Sequence, residues 1–192
     1  MRLLETIRVE NGEYKNLHFH KWRIDWSRKK LAFKNMMRFE LPKPPKIGVF
    51  RCRIIYLNMV EKVEFIPYTQ SISQTFSFAF DTNLDYSLKY ENRNEIAKIK
   101  SKFLNKSDDI IFVKDSLIQD SSIANIALFD GNRWITPKTP LLQGTTRERL
   151  LQNGKIFESD IYFRDIDKFQ NLALMNSMLN FKVIKSPKYF GS

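Results

Sequence analysis

The chain has 192 residues, of which 43% are hydrophobic, and a formal net charge of +11. It can bury a core in one domain or two small lobes, but no stretch approaches the roughly 20 apolar residues of a membrane span. The single cysteine, Cys52, excludes a disulfide framework and a multi-cysteine metal site, and the opening residues turn polar too early for a secretory signal. We therefore expect a soluble cytosolic protein with no bound metal and no membrane contact.

The basic residues are spread along the chain and interleaved with 21 acidic ones. The densest basic cluster, residues 28–30, is only "RKK". A net positive charge favours an acidic partner. Because the charge is dispersed, we expect a small anionic substrate and no nucleic acid.

The first part of the chain predicts a hairpin, a helix and three strands. The hairpin turns at Asn11-Gly12, and its second strand continues through "YKNLHFH". A helix is expected from about Lys21 to Met37, ended by the prolines of "LPKPPK". The strand patterns are "GVFRCRIIYLN", "KVEFIPY" and "TFSFAF". These elements predict a small N-terminal α+β lobe over residues 1–82.

The second part predicts a larger α+β lobe over residues 83–192. A loop carries Lys89 and leads into a helix expected from Glu91 to Asn105. A β meander follows, with turns at Asp115-Ser116 and Asp130-Gly131. A further helix begins near Gly144, and the tail contains "IYFRDIDKFQNLALMNS" and "FKVIKS".

Four polar features, far apart in sequence, suit one cofactor. Lys89 stands at a loop-to-helix boundary, and Asp120 interrupts an apolar strand pattern. The hydroxylated start of the helix at "GTT" is suited to an anion, and Arg23 can face a phosphate. Pyridoxal 5′-phosphate needs a reactive lysine, a carboxylate for its pyridine nitrogen and a phosphate site. Each feature alone also has an ordinary explanation, as a solvated cation, a turn residue or a helix start.

Several blocks together resemble the class IV aminotransferases, the fold-type IV pyridoxal-phosphate enzymes. They occur in order from Glu5 to about Met178 and read "ETIRVENGEYKNLHFHKWR", "LKYENR", "IQDSSIANIALF", "LLQGTTRERLL" and "LALMNSM". The resemblance implies a two-lobed α+β fold with the cofactor between a small N-terminal and a larger C-terminal lobe. It also implies a homodimer.

The resemblance assigns roles to individual residues. Lys89 is implied to be the catalytic Schiff-base lysine. Asp120 stands where the family usually has a glutamate on the pyridine nitrogen, and it is one methylene shorter. The residues implied to bind the cofactor phosphate are Arg23, Thr145, Thr146 and Asn176.

Lys89, Asn92 and Arg93 resemble the lyase branch of the family. The favoured activity is therefore that of 4-amino-4-deoxychorismate lyase, which releases 4-aminobenzoate and pyruvate for folate precursor synthesis. Arg8 and Arg93 are candidate contacts for its anionic substrate, and His20 is expected to order the turn beside Arg23. Two alternatives stay open: an aminotransferase acting on branched-chain or D-amino acids, and a non-catalytic basic binding protein on the same fold.

Overall fold

The computed structural model describes residues 1–35, 37 and 39–191. Within this part of the chain the backbone forms three β-sheets, three α-helices and one short 3₁₀-helix. The chain divides into two compact units, of which one comprises Met1–Gln70 with Leu88–Asn92 and the other Ser71–Ser87 with Arg93–Ser192. None of the helices formed by the described residues has the length and hydrophobicity that crossing a membrane would require.

The first unit contains a four-stranded antiparallel sheet in the order β2-β1-β3-β4, together with helix α1. Its elements are β1 (Leu3–Glu10), β2 (Glu13–Tyr14), α1 (Leu17–Lys30), β3 (Val49–Tyr56) and β4 (Val60–Pro67). The predicted hairpin is confirmed. Asn11 and Gly12 have φ of 50° and 83°, the positive values that a tight two-residue hairpin turn requires.

Helix α1 differs from its prediction at both ends. It begins at Leu17, within the segment predicted as a strand, because Asn16 adopts a left-handed conformation and the following residues bury a helical face. It ends at Lys30 because Ala32 has φ of 63°, so the prolines are not what stops it. Met36, which the predicted helix included, lies outside the described residues.

The segment Leu88–Asn92 belongs to the first unit because it joins strand β1. Tyr90 forms a bridge with Leu3, and Leu4 N donates to Lys89 O over 2.9 Å. Leu88 packs in a buried cluster with Leu3, Ile24 and Tyr56. These contacts fix the backbone on both sides of Lys89.

The second unit holds two sheets. A four-stranded sheet has the order β13-β5-β6-β7, and a five-stranded sheet has the order β10-β9-β8-β11-β12. Its elements are β5 (Thr75–Phe80), α2 (Asn94–Ser101), β6 (Asp109–Lys114), β7 (Leu117–Ser121), β8 (Asn125–Phe129), β9 (Trp134–Pro137), α3 (Thr145–Gln152), β10 (Phe157–Ser159), a 3₁₀-helix (Phe163–Lys168), β11 (Asn171–Asn176), β12 (Asn180–Lys185) and β13 (Lys188–Phe190).

The division into units differs from the predicted boundary at residues 82 and 83. Strand β5 pairs with β6 in parallel register, so residues 71–87 fold with the second unit. Conversely, Lys89 was predicted in the C-terminal lobe but folds with the first unit, through its pairing with β1. Contacts distant in sequence decide both assignments, and a local pattern does not contain them.

Two further predictions are corrected in the second unit. Helix α2 covers only Asn94–Ser101, because irregular turns with i to i−3 hydrogen bonds replace the helix after Ser101. The predicted meander is divided between sheets, since β7 pairs with β6 whereas β8 pairs with β9 and β11. The short β7–β8 connection therefore passes from one sheet to the other.

Candidate functional site

A buried carboxylate organises the polar residues of the first unit. Glu5, in β1, is completely buried. Arg23 donates from Nε to Glu5 Oε1 over 2.7 Å and from Nη2 to Oε2 over 2.6 Å, and His20 Nδ1 lies 2.7 Å from Oε2. Residues three apart share one face of a helix, so both partners reach the same strand residue from α1.

Burial and charge act in opposite directions on this cluster. Burial alone would raise the pKa of Glu5, but the Arg23 charge and the hydrogen bonds from His20 and Arg23 hold it at about 2. Burial lowers the pKa of His20 in spite of its bond to Glu5. At neutral pH the imidazole is therefore uncharged, and it carries its proton on Nδ1 because a carboxylate can only accept. As predicted, His20 lies beside Arg23. It does so within helix α1 and not at a turn.

Lys89 lies close to this cluster. Its carbonyl bonds to the residue that precedes Glu5, and its charge is one of the influences that lower the pKa of His20. The Lys89 side chain is half-buried. The first unit thus brings together Arg23 and Lys89, two residues that were predicted from separate parts of the chain.

Arg8 lies on the same strand as Glu5 but on its opposite face. Strand side chains alternate, so positions 5 and 8 point in opposite directions. The Arg8 guanidinium pairs with Glu10, with Nε 3.2 Å from Oε2. The structure therefore separates Arg8 from the Glu5 cluster, and its role as a substrate contact stays a prediction.

The polar centre of the second unit is the pair Asp120 and Asn125. Asp120 is 3% exposed, at the end of β7, and Asn125 begins β8. Asn125 Nδ2 donates to Asp120 Oδ1 over 2.9 Å and to Leu142 O over 2.8 Å. Leu142 N in turn donates to Asp120 Oδ2 over 2.9 Å. A carboxylate has about four acceptor positions, so these contacts leave Asp120 able to accept another donor.

Burial raises the pKa of Asp120, whereas the hydrogen bonds from Asn125 and Leu142 and the charge of Arg147 lower it. The net pKa is raised to about 6. At neutral pH the carboxylate is therefore still largely ionised. A cation brought next to it would stabilise that ionised form further. This is the chemistry expected of a carboxylate that faces a protonated ring nitrogen.

The start of helix α3 is shaped by the same asparagine. A Cβ at Gly144 would lie 1.7 Å from Asn125 Oδ1, so the amide occupies the space that any larger residue would need. Among the described residues, no side chain caps α3 at Gly144. Thr145 and Thr146 are each 5% exposed. Uncapped N–H groups beside two hydroxyls form a site suited to an anion.

Two other residues of the predicted motifs have clear structural contacts. Arg147 is buried and donates from Nη2 to Pro137 O over 2.8 Å and to Glu158 Oε1 over 2.6 Å, which ties α3 to β9 and β10. Asn176 accepts from Met178 N and Leu179 N, over 2.9 and 2.8 Å, and so shapes the β11–β12 turn. Its part in holding phosphate stays a prediction.

Arg93 also has defined neighbours. Its Nη2 donates to Ser122 O, and its guanidinium lies over the Tyr86 ring, 5.8 Å from the centroid. Its Nε is buried without a hydrogen-bond partner in the described chain. These contacts place Arg93 beside the turn that follows Asp120, within the second unit.

Glu5 was not predicted to belong to the site. Positions 3, 5, 7 and 9 of β1 are Leu, Glu, Ile and Val, and all four are completely buried. A single acid on an otherwise apolar strand face requires a buried partner. The alternating pattern of β1 therefore indicates that residue 5 needs a buried partner. It does not identify Arg23 and His20 as the partners.

Residues 81–186 match the family described as "Amino-transferase class IV". The match covers more than half of the chain, which therefore belongs to the class IV aminotransferases, a family of pyridoxal-phosphate enzymes. The α+β fold predicted from the resemblance is confirmed by the solved structures that this chain resembles.

Three relatives illustrate the similarity. A Haemophilus influenzae protein, named only "Uncharacterized protein", is 34% identical over 183 residues, which are 92% of this chain and 97% of that protein. A crystal structure of a "putative 4-amino-4-deoxychorismate lyase" from Haemophilus somnus is 31% identical with a TM-score of 0.80, covering 92% of this chain and 96% of that one. A Schizosaccharomyces pombe protein named "Putative aminodeoxychorismate lyase" is 29% identical over 154 residues, 73% of this chain and 62% of that protein. The chain spans nearly the whole length of the first two relatives.

Replacing Glu5 by Gln should destabilise the protein by about 3 kcal/mol at pH 7, because Arg23 would lose its buried counter-charge. The pKa of Glu5 is about 2 in the folded protein against an ordinary value of 4.5. Its contribution is therefore complete above about pH 4.5 and is lost as the pH falls toward 2. Urea unfolding of both proteins at several pH values should show the stability difference shrinking in acid. Glu10→Gln, on the same strand, is the control and should change little, and equal stability of all three proteins at pH 7 would contradict the pairing.

Replacing Gly144 by Ala should destabilise the second unit by about 1–3 kcal/mol, because the new methyl group must displace the Asn125 amide. Gly191→Ala is the matched control, since nothing lies within 4 Å of a Cβ at that position. Thermal unfolding followed by circular dichroism measures both changes. The two variants unfolding at the same temperature would show that the amide moves aside without cost.

Proposed function

We propose that this chain is a pyridoxal-phosphate-dependent 4-amino-4-deoxychorismate lyase that releases 4-aminobenzoate and pyruvate. The observation that carries the proposal is Lys89, held beside the buried pair of Glu5 and Arg23 in a chain of this family. A lysine amine near neutral imidazole and a paired guanidinium suits both covalent attachment of a carbonyl and proton transfer.

The residues of the second unit fit the cofactor's other two requirements. The uncapped start of α3 supplies N–H groups and the hydroxyls of Thr145 and Thr146 for the phosphate. Asp120 supplies a buried carboxylate with acceptor capacity left for a ring N–H. Asn176 would add an amide to the phosphate site.

Arg23 would also contribute to phosphate binding. Its fork to Glu5 fixes the guanidinium plane before any ligand arrives, so little side-chain freedom is lost on binding. Because of this pairing, a mutation of Arg23 would affect stability as well as phosphate affinity. Arg23→Ala would leave Glu5 charged and buried without its partner, so the variant is expected to unfold more readily as well as to lose phosphate affinity.

The bound cofactor would supply the electron sink of the reaction. Lys89 would release the cofactor to the substrate amine and then take the proton from the ring carbon that bears the amino group. Loss of that proton and cleavage of the ring C–O bond would release enolpyruvate, which takes up a proton to become pyruvate. The remaining ring would be aromatic, which favours the reaction. Asp120 would keep the pyridine nitrogen protonated throughout.

The choice of lyase over aminotransferase rests on the resemblance of Lys89, Asn92 and Arg93 to the lyase branch. The relatives from Haemophilus somnus and Schizosaccharomyces pombe carry lyase names. A dianionic substrate also suits the net charge of +11, with Arg8 and Arg93 as candidate contacts. An aminotransferase is the second candidate, because the family match is to class IV aminotransferases as a whole.

Incubation of the purified protein and pyridoxal phosphate with 4-amino-4-deoxychorismate should release 4-aminobenzoate and pyruvate in equal amounts. Lys89→Ala should abolish the release and also the borohydride-trapped adduct seen by intact mass, while the fold is kept. Lys98→Ala, an exposed lysine on α2, is the control. Amino-group transfer to 2-oxo acids without 4-aminobenzoate would favour the aminotransferase instead. An adduct that persists in Lys89→Ala would show that another lysine holds the cofactor.

Thr146→Val should weaken cofactor affinity about tenfold or more, since a hydrogen bond to a charged group contributes about 1.5–3 kcal/mol. Valine keeps the shape of threonine, so the unfolding temperature should change much less than the affinity. Thr139→Val, at an exposed position outside α3, is the matched control. Equilibrium dialysis against pyridoxal phosphate measures the affinities, and equal values for the two variants would place the phosphate elsewhere.

A further inference from the structure

The turn between β7 and β8, residues Ser122–Ala124, is held by more polar contacts than a three-residue connection needs. Ser121 N donates to Ala124 O over 2.9 Å, and Ser121 Oγ accepts from Ala124 N over 3.1 Å. From outside the turn, Asn176 Nδ2 donates to Ile123 O over 3.2 Å. The turn joins Asp120 to Asn125, the two residues that bond to each other.

Ser122 is the most tightly held residue of this turn. Its N–H donates to Ile110 O over 3.1 Å, and its carbonyl accepts from Arg93 Nη2. Its hydroxyl donates to Asp109 Oδ1. All three polar groups of a residue that is 4% exposed therefore have partners, and two of those partners are charged side chains.

Asp109, the first residue of β6, is itself an unusual residue for a buried position. It is 1% exposed, and Lys100 Nζ lies 3.0 Å from its Oδ1. Its Oδ2 is buried with no hydrogen-bond partner in the described chain. A buried ion pair that served only fold stability could be replaced, both partners together, by apolar residues with little loss. The energetic cost of burying the Asp109 carboxylate is explained if its charge holds the Ser122 hydroxyl in one orientation.

We propose that Asp109 and Arg93 are positioning residues that hold Ser122 from two sides and thereby fix the carboxylate of Asp120. Lys100 neutralises Asp109 from the edge of the unit. The inference rests on the proposed function, because Asp120 matters for catalysis only if it faces the cofactor ring. It also gives Arg93 a role that needs no contact with substrate.

The physical reason lies in the short reach of aspartate. Asp120 must place its carboxylate through its backbone, since it has one fewer side-chain torsion than glutamate with which to adjust. Displacing Ser122 by part of an ångström would move the end of β7 by a similar amount. A turn held at both its hydroxyl and its carbonyl resists that displacement.

The test uses Ser122→Ala, which removes the hydroxyl, and Lys100→Gln, which removes the counter-charge at a side chain that is 28% exposed and therefore tolerant. Ser101→Ala is the control, because its hydroxyl donates only to Lys98 O within α2. Hydrogen exchange of the amides at residues 121–125 is measured without cofactor. Exchange should accelerate about tenfold in Ser122→Ala, as expected for the loss of a hydrogen bond to a charged group, and less in Lys100→Gln. The control should match the wild type.

Turnover of the loaded enzyme separates positioning from general stability. Ser122→Ala should lower kcat about tenfold at nearly constant KM, for the loss of the same bond. In an Asp120→Asn background the same substitution should cause no further loss, because the network acts through Asp120. Additive losses, or unchanged exchange in both Ser122→Ala and Lys100→Gln, would overturn the inference. A wild-type chain that takes up no pyridoxal phosphate would overturn the proposed function, and the exchange measurement would still decide whether the network holds the turn.

Discussion

A carboxylate taken out of water must be paired, and this requirement explains the polar organisation of each unit. Glu5 is neutralised by Arg23 and steadied by His20, which fixes the position of α1 along strand β1. Asp120 has no full counter-charge among its hydrogen-bond partners and is held by two N–H donors instead. The difference appears in their pKa values, about 2 for Glu5 and about 6 for Asp120. Glu5 is a completed ion pair, whereas Asp120 is a carboxylate still suited to a cationic partner.

Asn125 shows how one side chain can make several sequence blocks depend on each other. Its amide bonds to Asp120 and to Leu142, and it fills the space above Gly144. The start of α3 is therefore positioned by the same group that orients the carboxylate. The Asp120 carboxylate and the start of α3 are thus linked through one side-chain amide.

Local patterns predicted the strands well, because alternation and turn residues are properties of neighbouring positions. The Asn11-Gly12 hairpin is an example. The unit boundaries could not be predicted in this way, since β5 joins β6 and Lys89 joins β1 through pairings that no local window contains. The site shows the same limit. Lys89, Arg23 and Asp120 were recognised as residue types at motif spacing, but the Glu5 partnership and the contacts of Ser122 exist only in three dimensions.

The buried charges also show where rigidity is concentrated in this chain. Arg23, Arg93 and Arg147 each direct guanidinium N–H groups at other protein atoms, respectively a carboxylate, a carbonyl, and a carbonyl with a carboxylate. A guanidinium held in this way is costly to bury but has little freedom left to lose when a ligand binds. In the first unit, whose described residues form one helix and a small sheet, the Glu5–Arg23 ion pair adds rigidity to a small apolar core. Arg23 and Arg147 are balanced by Glu5 and Glu158, so the net charge of +11 comes from the other cations of the chain.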